Sequence, residues 1–217
     1  MGSVCGTIQE TVDYLNAEGG KTGVLTVHLY RPFSAEHFLR ELPDTVKRVA
    51  VLDRTKEPGS VGEPLYEDIC SVFSERDDAP VIVGGIYGIG GKNTTPTHIS
   101  AVFDNLSRET PRNHFTLGIT DNVTFRSLPV GDKLDVAPAG MKSLKFWGIG
   151  SDGTVSANKN TIKIIGDHTD MYVQAYFEYD GKKSGGVTKS HLRFGKSPIK
   201  SAYYVDKADF VACHNQA

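Results

Sequence analysis

The residues best suited to chemistry form a glycine-rich turn in the second half of the chain. This turn, Gly148-Ile149-Gly150-Ser151-Asp152-Gly153, matches the pattern G-x-G-x-x-G and follows the apolar run 144–147. Where such a turn joins a strand to a helix, backbone N–H groups and the positive end of the helix dipole face an incoming phosphate. The turn therefore predicts a site for a phosphate-bearing ligand.

Polar side chains follow the turn at once and could complete an anion site. They are Thr154, Ser156, Asn158 and Lys159, which supply hydroxyl, amide and ammonium donors. Such donors are the groups that bind phosphate oxygens in proteins. A tight structural turn with solvated polar residues is the alternative, because short glycine patterns are common.

If the turn binds a dinucleotide such as NAD, an acidic residue is expected at the end of the next strand, about 20 residues further on. Glu178 and Asp180 lie near the end of the run 171–180, roughly 30 residues after the turn. Asp167 and Asp170 have better spacing but precede that strand. The spacing weakens the case for NAD and leaves it open.

Two other loops carry functional residue types. The glycine loop 84–92 follows a buried apolar run, and open α/β sheets bind ligands at such strand ends. The loop is not a Walker A loop, because Lys92 is followed by Asn93. We interpret it as a structural loop facing another domain. The charged loop 53–63 is interpreted as solvated or as part of an interface rather than as catalytic.

Composition excludes several classes of function. The net charge of −2 gives no electrostatic reason to expect nucleic acid or an anionic membrane as a partner. The three cysteines form no C-x-x-C, which excludes a contiguous ferredoxin-type cluster motif and fits a reducing cytoplasm. No 18-residue apolar run and no signal peptide are present, and the histidines show no metal-ligand spacing.

The first half of the chain alternates between helical and strand patterns with short connections, which is typical of a doubly wound, mainly parallel α/β sheet. Ser34 is a plausible N-cap, and Gly19-Gly20 should end the first helix. The predicted helices cover 7–18, 34–42, 64–74 and 97–107, and the predicted strands cover 23–30, 47–53, 80–85 and 114–119.

The segment 126–143 is predicted to be a linker, because it contains three turn signals and little hydrophobic periodicity. The second half of the chain is predicted to form a partial second α/β domain after this linker. Its predicted strands cover 144–150, 171–180, 187–195 and 209–215, with a helix at 154–164 and a turn at 181–186. The predicted domains are therefore 1–125 and 144–217. Both ends look cut within a βα unit, so we expect a fragment.

Several ordered blocks of the sequence resemble one family, the pyruvate:ferredoxin (flavodoxin) oxidoreductases. GSVCGTIQETVDYLN, GVLTVHLYRPF, VLDRTKEPGSVGEPLYEDI, VIVGGIYGIGGKNTTPTHISAVFDNL and NHFTLGITDNVTFRSLP resemble its second domain, which has the fold of a transketolase C-terminal domain. KFWGIGSDGTVSANKNTIKIIG, YVQAYFEYDGKKSGGVTKSHLRFG and DFVACHN resemble the opening of its third, or gamma, domain.

The resemblance implies an enzyme that oxidatively decarboxylates pyruvate with coenzyme A to acetyl-CoA and carbon dioxide, reducing ferredoxin or flavodoxin. Because the family's gamma domain contributes to coenzyme A binding, the resemblance points to a set of phosphate-contacting residues. These are Gly150, Ser151, Asp152, Gly153, Thr154, Ser156, Asn158 and Lys159. A dinucleotide-binding regulatory or dehydrogenase module is the alternative function.

The sequence departs from the complete family pattern. It lacks the GDG-type motif that holds thiamine diphosphate and magnesium, and the repeated C-x-x-C-x-x-C of the 4Fe–4S cluster domain. We therefore expect these cofactors to bind outside this chain and expect the chain to be inactive alone. The expected partners are the remaining domains of the enzyme, which the resemblance implies is a homodimer.

Overall fold

The computed structural model describes residues 2–181 and 185–215. These residues form two compact units, Met1–Leu134 and Asp135–Ala217. The boundary between the units falls inside the segment 126–143. The predicted turn at 181–186 lies partly outside the described residues. No helix among the described residues is long and apolar enough to cross a membrane.

The first unit is built on a parallel three-stranded sheet. Its strands are β1 (Arg48–Asp53), β2 (Val81–Tyr87) and β3 (Phe115–Leu117), in the order β1-β2-β3. All three are short apolar runs, as expected for strands that are covered on both faces. Both pairings are parallel, which confirms the predicted sheet.

Four helices cover the two faces of this sheet: α1 (Val4–Ala17), α2 (Ala35–Glu41), α3 (Pro64–Phe73) and α4 (Pro96–Ser107). Alternate residues of β1 point to opposite faces, as strand geometry requires. Ala50 and Leu52 join an apolar cluster with residues of α1 and α4, whereas Val49 and Val51 join a second cluster with residues of α2 and α3. The sheet is therefore doubly wound, as predicted.

Local capping chemistry fixes the ends of these helices. The Ser34 side chain accepts a hydrogen bond from the His37 N–H, so Ser34 is the predicted N-cap of α2. At the end of α1, Gly19 has φ 92°, and Gly20 N–H donates to the Leu15 carbonyl at 2.9 Å. This Schellman arrangement explains why the glycine pair stops the helix.

The predicted strand at 23–30 is wrong, because this segment forms no strand and pairs with none of the described strands. Its alternating residues Leu25 and Val27 pack instead against the apolar cluster of α2 and α3. Apolar residues at every second position indicate an extended chain with one buried side. An extended segment can bury that side by packing alone, without hydrogen bonds to a neighbouring strand.

The second unit is a mixed four-stranded sheet in the order β5-β6-β4-β7. Its elements are β4 (Lys142–Ile149), α5 (Thr154–His168), β5 (Tyr172–Tyr179), β6 (Val187–Gly195) and β7 (Phe210–Cys213). β6 is antiparallel to β4 and β5, and β7 is parallel to β4. The strand β4 begins two residues before the predicted start at 144, and α5 extends past the predicted end at 164.

The two faces of this second sheet are covered differently. The helix α5 packs on one face, against β4, β5 and β6. The segment 196–209 crosses the other face, where Val205 N–H donates to His191 Nδ1 at 3.1 Å and Tyr204 stacks on the His191 ring at 4.8 Å. Side chains of β6 therefore alternate between the helix and this segment.

Candidate phosphate site

The glycine-rich turn joins β4 to α5, as its sequence predicts. Gly148 lies inside β4, where a Cβ would come within 2.6 Å of Thr154 Oγ1 and 2.7 Å of Asp152 Oδ2. Because glycine has no side chain, the first turn of the helix can lie directly against the strand. The sequence pattern thus places the N-terminus of α5 at the end of β4.

Asp152 holds the turn in shape. Its Oδ2 accepts a hydrogen bond from Ile149 N–H at 2.7 Å, and its Oδ1 accepts one from Thr154 N–H at 2.8 Å. These two backbone donors keep the pKa of the carboxyl below its ordinary value. Asp152 is therefore an internal acceptor for the first amide of α5 and occupies a position that an external anion would otherwise take.

A cleft of about 370 Å³ opens beside the turn and the end of the β5–β6 pair. The lining residues come from the turn, the start of α5 and the facing ends of β5 and β6. They are Gly150, Ser151, Val155, Tyr179, Asp180, Gly181, Gly186 and Thr188. By helix geometry, the N–H groups of Val155 and Ser156 have no acceptor within α5. The cleft therefore lies where the helix dipole favours an anion.

Thr188 is the polar side chain in this cleft whose hydrogen bonding is incomplete. It is 5% exposed, and its Oγ1 has no hydrogen-bond partner in the part of the chain that the structure describes. The buried Nδ2 of Asn158, one helical turn along α5, also lacks a hydrogen-bond partner among the described residues. A buried polar group without a hydrogen-bond partner lowers the stability of the folded state, so a ligand or an ordered water is the expected partner of these two groups.

Strand pairing explains why Thr188 faces the turn. In the sheet, Thr188 lies between Gly148 of β4 and Tyr179 of β5. Paired residues of neighbouring strands share a face of the sheet, so the Thr188 side chain points to the same face as Gly148, where α5 packs. Tyr179 is 59% exposed and forms an aromatic wall at the cleft's edge.

The structure distributes the eight predicted phosphate-contacting residues among different environments. Gly150 and Ser151 line the cleft, with Ser151 at φ 76°, and Gly153 is the N-cap of α5 at φ 85°. Thr154 and Asn158 are buried, and Ser156 is exposed.

Two predicted contacts have other local partners. The carboxylate of Asp152 is bound to the turn's own backbone, as described above. The Nζ of Lys159 lies 5.5 Å from the centroid of the Phe177 ring, a cation–π geometry. Lys159 is not among the residues that line the cleft.

The cleft also contains residues that the sequence reasoning missed, namely Tyr179, Gly186 and Thr188. Tyr179 and Thr188 belong to β5 and β6, which follow the motif in sequence, and Gly186 directly precedes β6. The alternation of polar residues in 187–195 is the one sequence feature that points to Thr188 as a site residue. This alternation does not show which strand lies next to the turn.

The second glycine loop has a packing role where it overlaps β2. A Cβ on Gly84 would come within 2.8 Å of the Tyr66 ring, and one on Gly85 within 2.1 Å of the Phe115 ring. Beyond the strand, Gly88 and Gly90 have φ near +65°. These contacts agree with the structural interpretation of this loop.

The solvated interpretation of the charged loop 53–63 agrees with the exposure of Arg54, Lys56 and Glu57, and it is wrong for the two ends of the loop. Asp53 is 3% exposed and accepts hydrogen bonds from the N–H groups of Leu65 and Tyr66 at 3.2 and 3.1 Å. It therefore caps α3 from the end of β1. Glu63, the N-cap residue of α3, is also buried.

Metal-binding chemistry is not indicated by any cluster of three or more histidine, cysteine or acidic side chains within residues 2–181 and 185–215.

Two family models match the chain in order. The one described as pyruvate:ferredoxin oxidoreductase core domain II matches residues 1–99, and the one described as pyruvate ferredoxin/flavodoxin oxidoreductase matches residues 143–217. The chain belongs to the pyruvate:ferredoxin (flavodoxin) oxidoreductase family. The resemblance seen in the sequence blocks is thereby confirmed.

Relatives of this oxidoreductase family align along the whole chain. A pyruvate-flavodoxin oxidoreductase of Enterobacter agglomerans is 64% identical over 100% of the chain and 19% of its own length. The pyruvate:ferredoxin oxidoreductase of Moorella thermoacetica is 62% identical over 99% of the chain and 18% of its own length. A mitochondrial pyruvate dehydrogenase (NADP+) of Euglena gracilis is 52% identical over 100% of the chain and 12% of its own length.

The chain thus spans about a fifth or less of the length of these oxidoreductases, as expected for a fragment. None of these matches favours the dinucleotide-binding module that was the alternative interpretation.

Proposed function

We propose that the chain is a segment of an enzyme that oxidatively decarboxylates pyruvate with coenzyme A and passes the electrons to ferredoxin or flavodoxin. Family membership and the names of the relatives support this proposal. Residues 1–125 would be the transketolase C-terminal-like domain and residues 144–217 the start of the gamma domain. The complete enzyme would be a cytoplasmic homodimer that holds thiamine diphosphate, magnesium and 4Fe–4S clusters outside this segment.

The relatives differ in the electron acceptor that their names state, while this chain is at least 52% identical to each of the three relatives compared above. A segment that selected the acceptor would be expected to differ more. The proposal therefore assigns acceptor choice to the rest of the enzyme and assigns a substrate-binding role to this segment.

That role is to bind a phosphate group of coenzyme A in the cleft beside the glycine-rich turn. The observation that carries the proposal is the buried, unpartnered hydroxyl of Thr188 in the cleft. A phosphate oxygen there would accept from Thr188 Oγ1, from the Ser151 hydroxyl and from the free amides at the start of α5. These groups suit a phosphate because they are hydrogen-bond donors at the positive end of a helix, and the phosphate would have to lie away from the carboxylate of Asp180, which also lines the cleft.

Asp152 would position this site rather than contact the phosphate. Its carboxylate already accepts the Thr154 and Ile149 amides, and a second anion next to it would be repelled. The phosphate is therefore expected on the side of Ser151 and Thr188. Lys159 would act on the phosphate only at longer range, because its ammonium lies over Phe177.

The test is the substitution Thr188→Val, which removes one hydroxyl and keeps the side-chain shape. Without ligand, the variant should be more stable than wild type by about 1 kcal/mol, since an unpaired buried hydroxyl disappears. Its affinity for coenzyme A should fall at least about tenfold, since a charge-assisted hydrogen bond is worth 1.5–3 kcal/mol. Urea unfolding and isothermal titration calorimetry measure the two effects.

Lys159→Ala is the matched control and should weaken binding less than Thr188→Val does. Titration with dephospho-coenzyme A separates the 3′-phosphate from the diphosphate, and NADH tests the dinucleotide alternative. Equal affinity of wild type and Thr188→Val for coenzyme A would refute the site at Thr188. Tight NADH binding with no response to coenzyme A would refute the assignment of the ligand.

The chain alone should show no pyruvate-dependent reduction of ferredoxin or flavodoxin, because it spans about a fifth of its relatives. A spectrophotometric assay with added thiamine diphosphate, magnesium and coenzyme A checks this expectation. Turnover by the purified chain would contradict it.

A further inference from the structure

The loop 119–128 of the first unit presents two apolar side chains to solvent. Val123 is 80% exposed and Phe125 is 73% exposed. Single exposed apolar residues are common on protein surfaces, so exposure alone indicates nothing. What sets this loop apart is that its backbone is firmly held while these two side chains point outward.

Asp121 organises the loop from inside. Its Oδ1 accepts hydrogen bonds from the N–H groups of Val123 and Thr124 at 3.1 and 2.9 Å, and its Oδ2 accepts one from Arg126 N–H at 3.1 Å. The Thr124 hydroxyl donates to the same carboxylate. The pKa of Asp121 lies far below its ordinary value because of these donors. One carboxylate therefore joins the backbone of the loop at residues 123, 124 and 126.

The loop is also tied to the sheet of the first unit. Arg112 donates to the carbonyls of Phe125 and Ser127 at 3.1 and 3.0 Å, and Thr116 N–H of β3 donates to the Arg126 carbonyl at 3.0 Å. The next residue along, Leu128, is buried in the apolar cluster of α1 and α4. A flexible loop could fold Phe125 inward, but this anchored loop cannot.

Phe125 adopts φ 53°, in the left-handed region that bulky residues avoid. Glycine or asparagine would suit that conformation better, so the backbone conformation does not explain why position 125 holds a phenylalanine. Packing in the core of this unit does not explain it either, since the ring is exposed to solvent. The remaining explanation is a contact outside the chain.

We propose that Val123 and Phe125 insert into an apolar surface of the same polypeptide, in the part of the full-length enzyme that lies outside this chain. This rests on the family assignment, under which some four-fifths of the enzyme is absent here.

The small area of these two side chains argues against self-association of the isolated 217-residue chain through this loop. Two exposed side chains offer a few hundred Å² at most, whereas a stable association between separate molecules buries about 800 Å² per partner. A contact within one polypeptide needs much less area, because the connecting chain holds both surfaces at high effective concentration.

The test compares cysteine labelling in two proteins, the 217-residue chain and the full-length enzyme that carries it. Both carry Val123→Cys, with Cys213→Ser to remove an exposed native thiol. Labelling by a maleimide should be at least tenfold slower in the native full-length enzyme than in the 217-residue chain. The urea-unfolded full-length enzyme serves as the control for reactivity and should label fast. Equal native rates would overturn the proposal.

A second measurement uses Phe125→Gly, with Asn122→Ala on the same loop as the matched control. Phe125→Gly should leave the 217-residue chain as stable or more stable, because glycine accepts φ 53°. In the full-length enzyme it should lower the Tm and speed labelling at position 123, whereas Asn122→Ala should do neither. Concentration-dependent dimerisation of the 217-residue chain, abolished by Phe125→Gly in sedimentation experiments, would overturn the proposal in favour of a second copy.

Discussion

At the scale of single residues, His191 shows how the second unit depends on pH. Its ring is 1% exposed, accepts from Val205 N–H through Nδ1 and stacks on Tyr204. Burial and the nearby cations of Lys145 and Arg193 lower its pKa to about 4, although Glu178, 3.8 Å from Nε2, acts in the opposite direction.

The lowered pKa predicts a loss of stability in mild acid. Between pH 6.5 and about 4 the unfolded chain binds a proton at His191 and the folded chain does not, so stability falls as pH falls through this window. The loss between pH 7.5 and 5 should be on the order of 2 kcal/mol. Urea unfolding followed by Trp147 fluorescence measures it.

The variant His191→Asn is the control for this pH effect. An asparagine carbonyl can still accept from Val205 N–H, but it does not titrate. Its stability should therefore depend less steeply on pH over the same range. An unchanged pH dependence would show that other groups cause the acid sensitivity.

At the scale of elements, the contact between β4 and α5 depends on Gly148. The first turn of the helix lies so close to the strand that a methyl group at this position has no space. The same closeness brings the start of α5 and the β5–β6 pair to opposite sides of one cleft. The candidate site is thus a consequence of strand–helix packing.

We expect Gly148→Ala to destabilise the second unit by about 1–3 kcal/mol, the usual range for overpacking. It should also weaken any binding at the cleft, because Thr154 and Asp152 must move. Gly181→Ala is the matched control: no atom of the described residues lies within 4 Å of its added Cβ, so its effect on stability should stay within about 0.5 kcal/mol. Denaturant unfolding distinguishes the two, and equal effects would argue against the packing explanation.

At the scale of the whole molecule, the chain divides into two units that share no sheet. The apolar clusters of the first unit contain residues of that unit alone. Trp147, the single tryptophan of the chain, lies in β4 of the second unit. Its fluorescence therefore reports on one unit, while circular dichroism reports on both.

This division predicts that the two units can be destabilised separately. Ile69→Ala, at a residue of α3 that is 2% exposed, should cost about 2–5 kcal/mol in the first unit. It should shift the circular dichroism transition and leave the Trp147 transition in place, whereas Gly148→Ala should shift the Trp147 transition. If both probes moved together for both variants, the units would unfold as one.

Much of the fold was predictable from local sequence. The apolar runs at 47–53 and 80–85 became β1 and β2 because strands covered on both faces need continuous apolar sequence. Ser34 and Gly19-Gly20 marked helix ends because capping is decided by neighbouring residues. The segment 23–30 shows the limit of this reasoning, since pairing depends on a neighbour that the pattern does not identify.

By itself, the sequence predicted that a glycine turn would join a strand to a helix at 148–154, which the structure confirms, and that the turn would bind a phosphate, which stays a prediction. Tertiary structure decided which other side chains meet the turn. Thr188 faces the cleft because the antiparallel register of β4 and β6 sets it opposite Gly148. A slip of one residue would put Lys189 there instead, because successive side chains of a strand point to opposite faces. The strand register is fixed by how both faces of the whole sheet pack, so a local sequence motif cannot predict it.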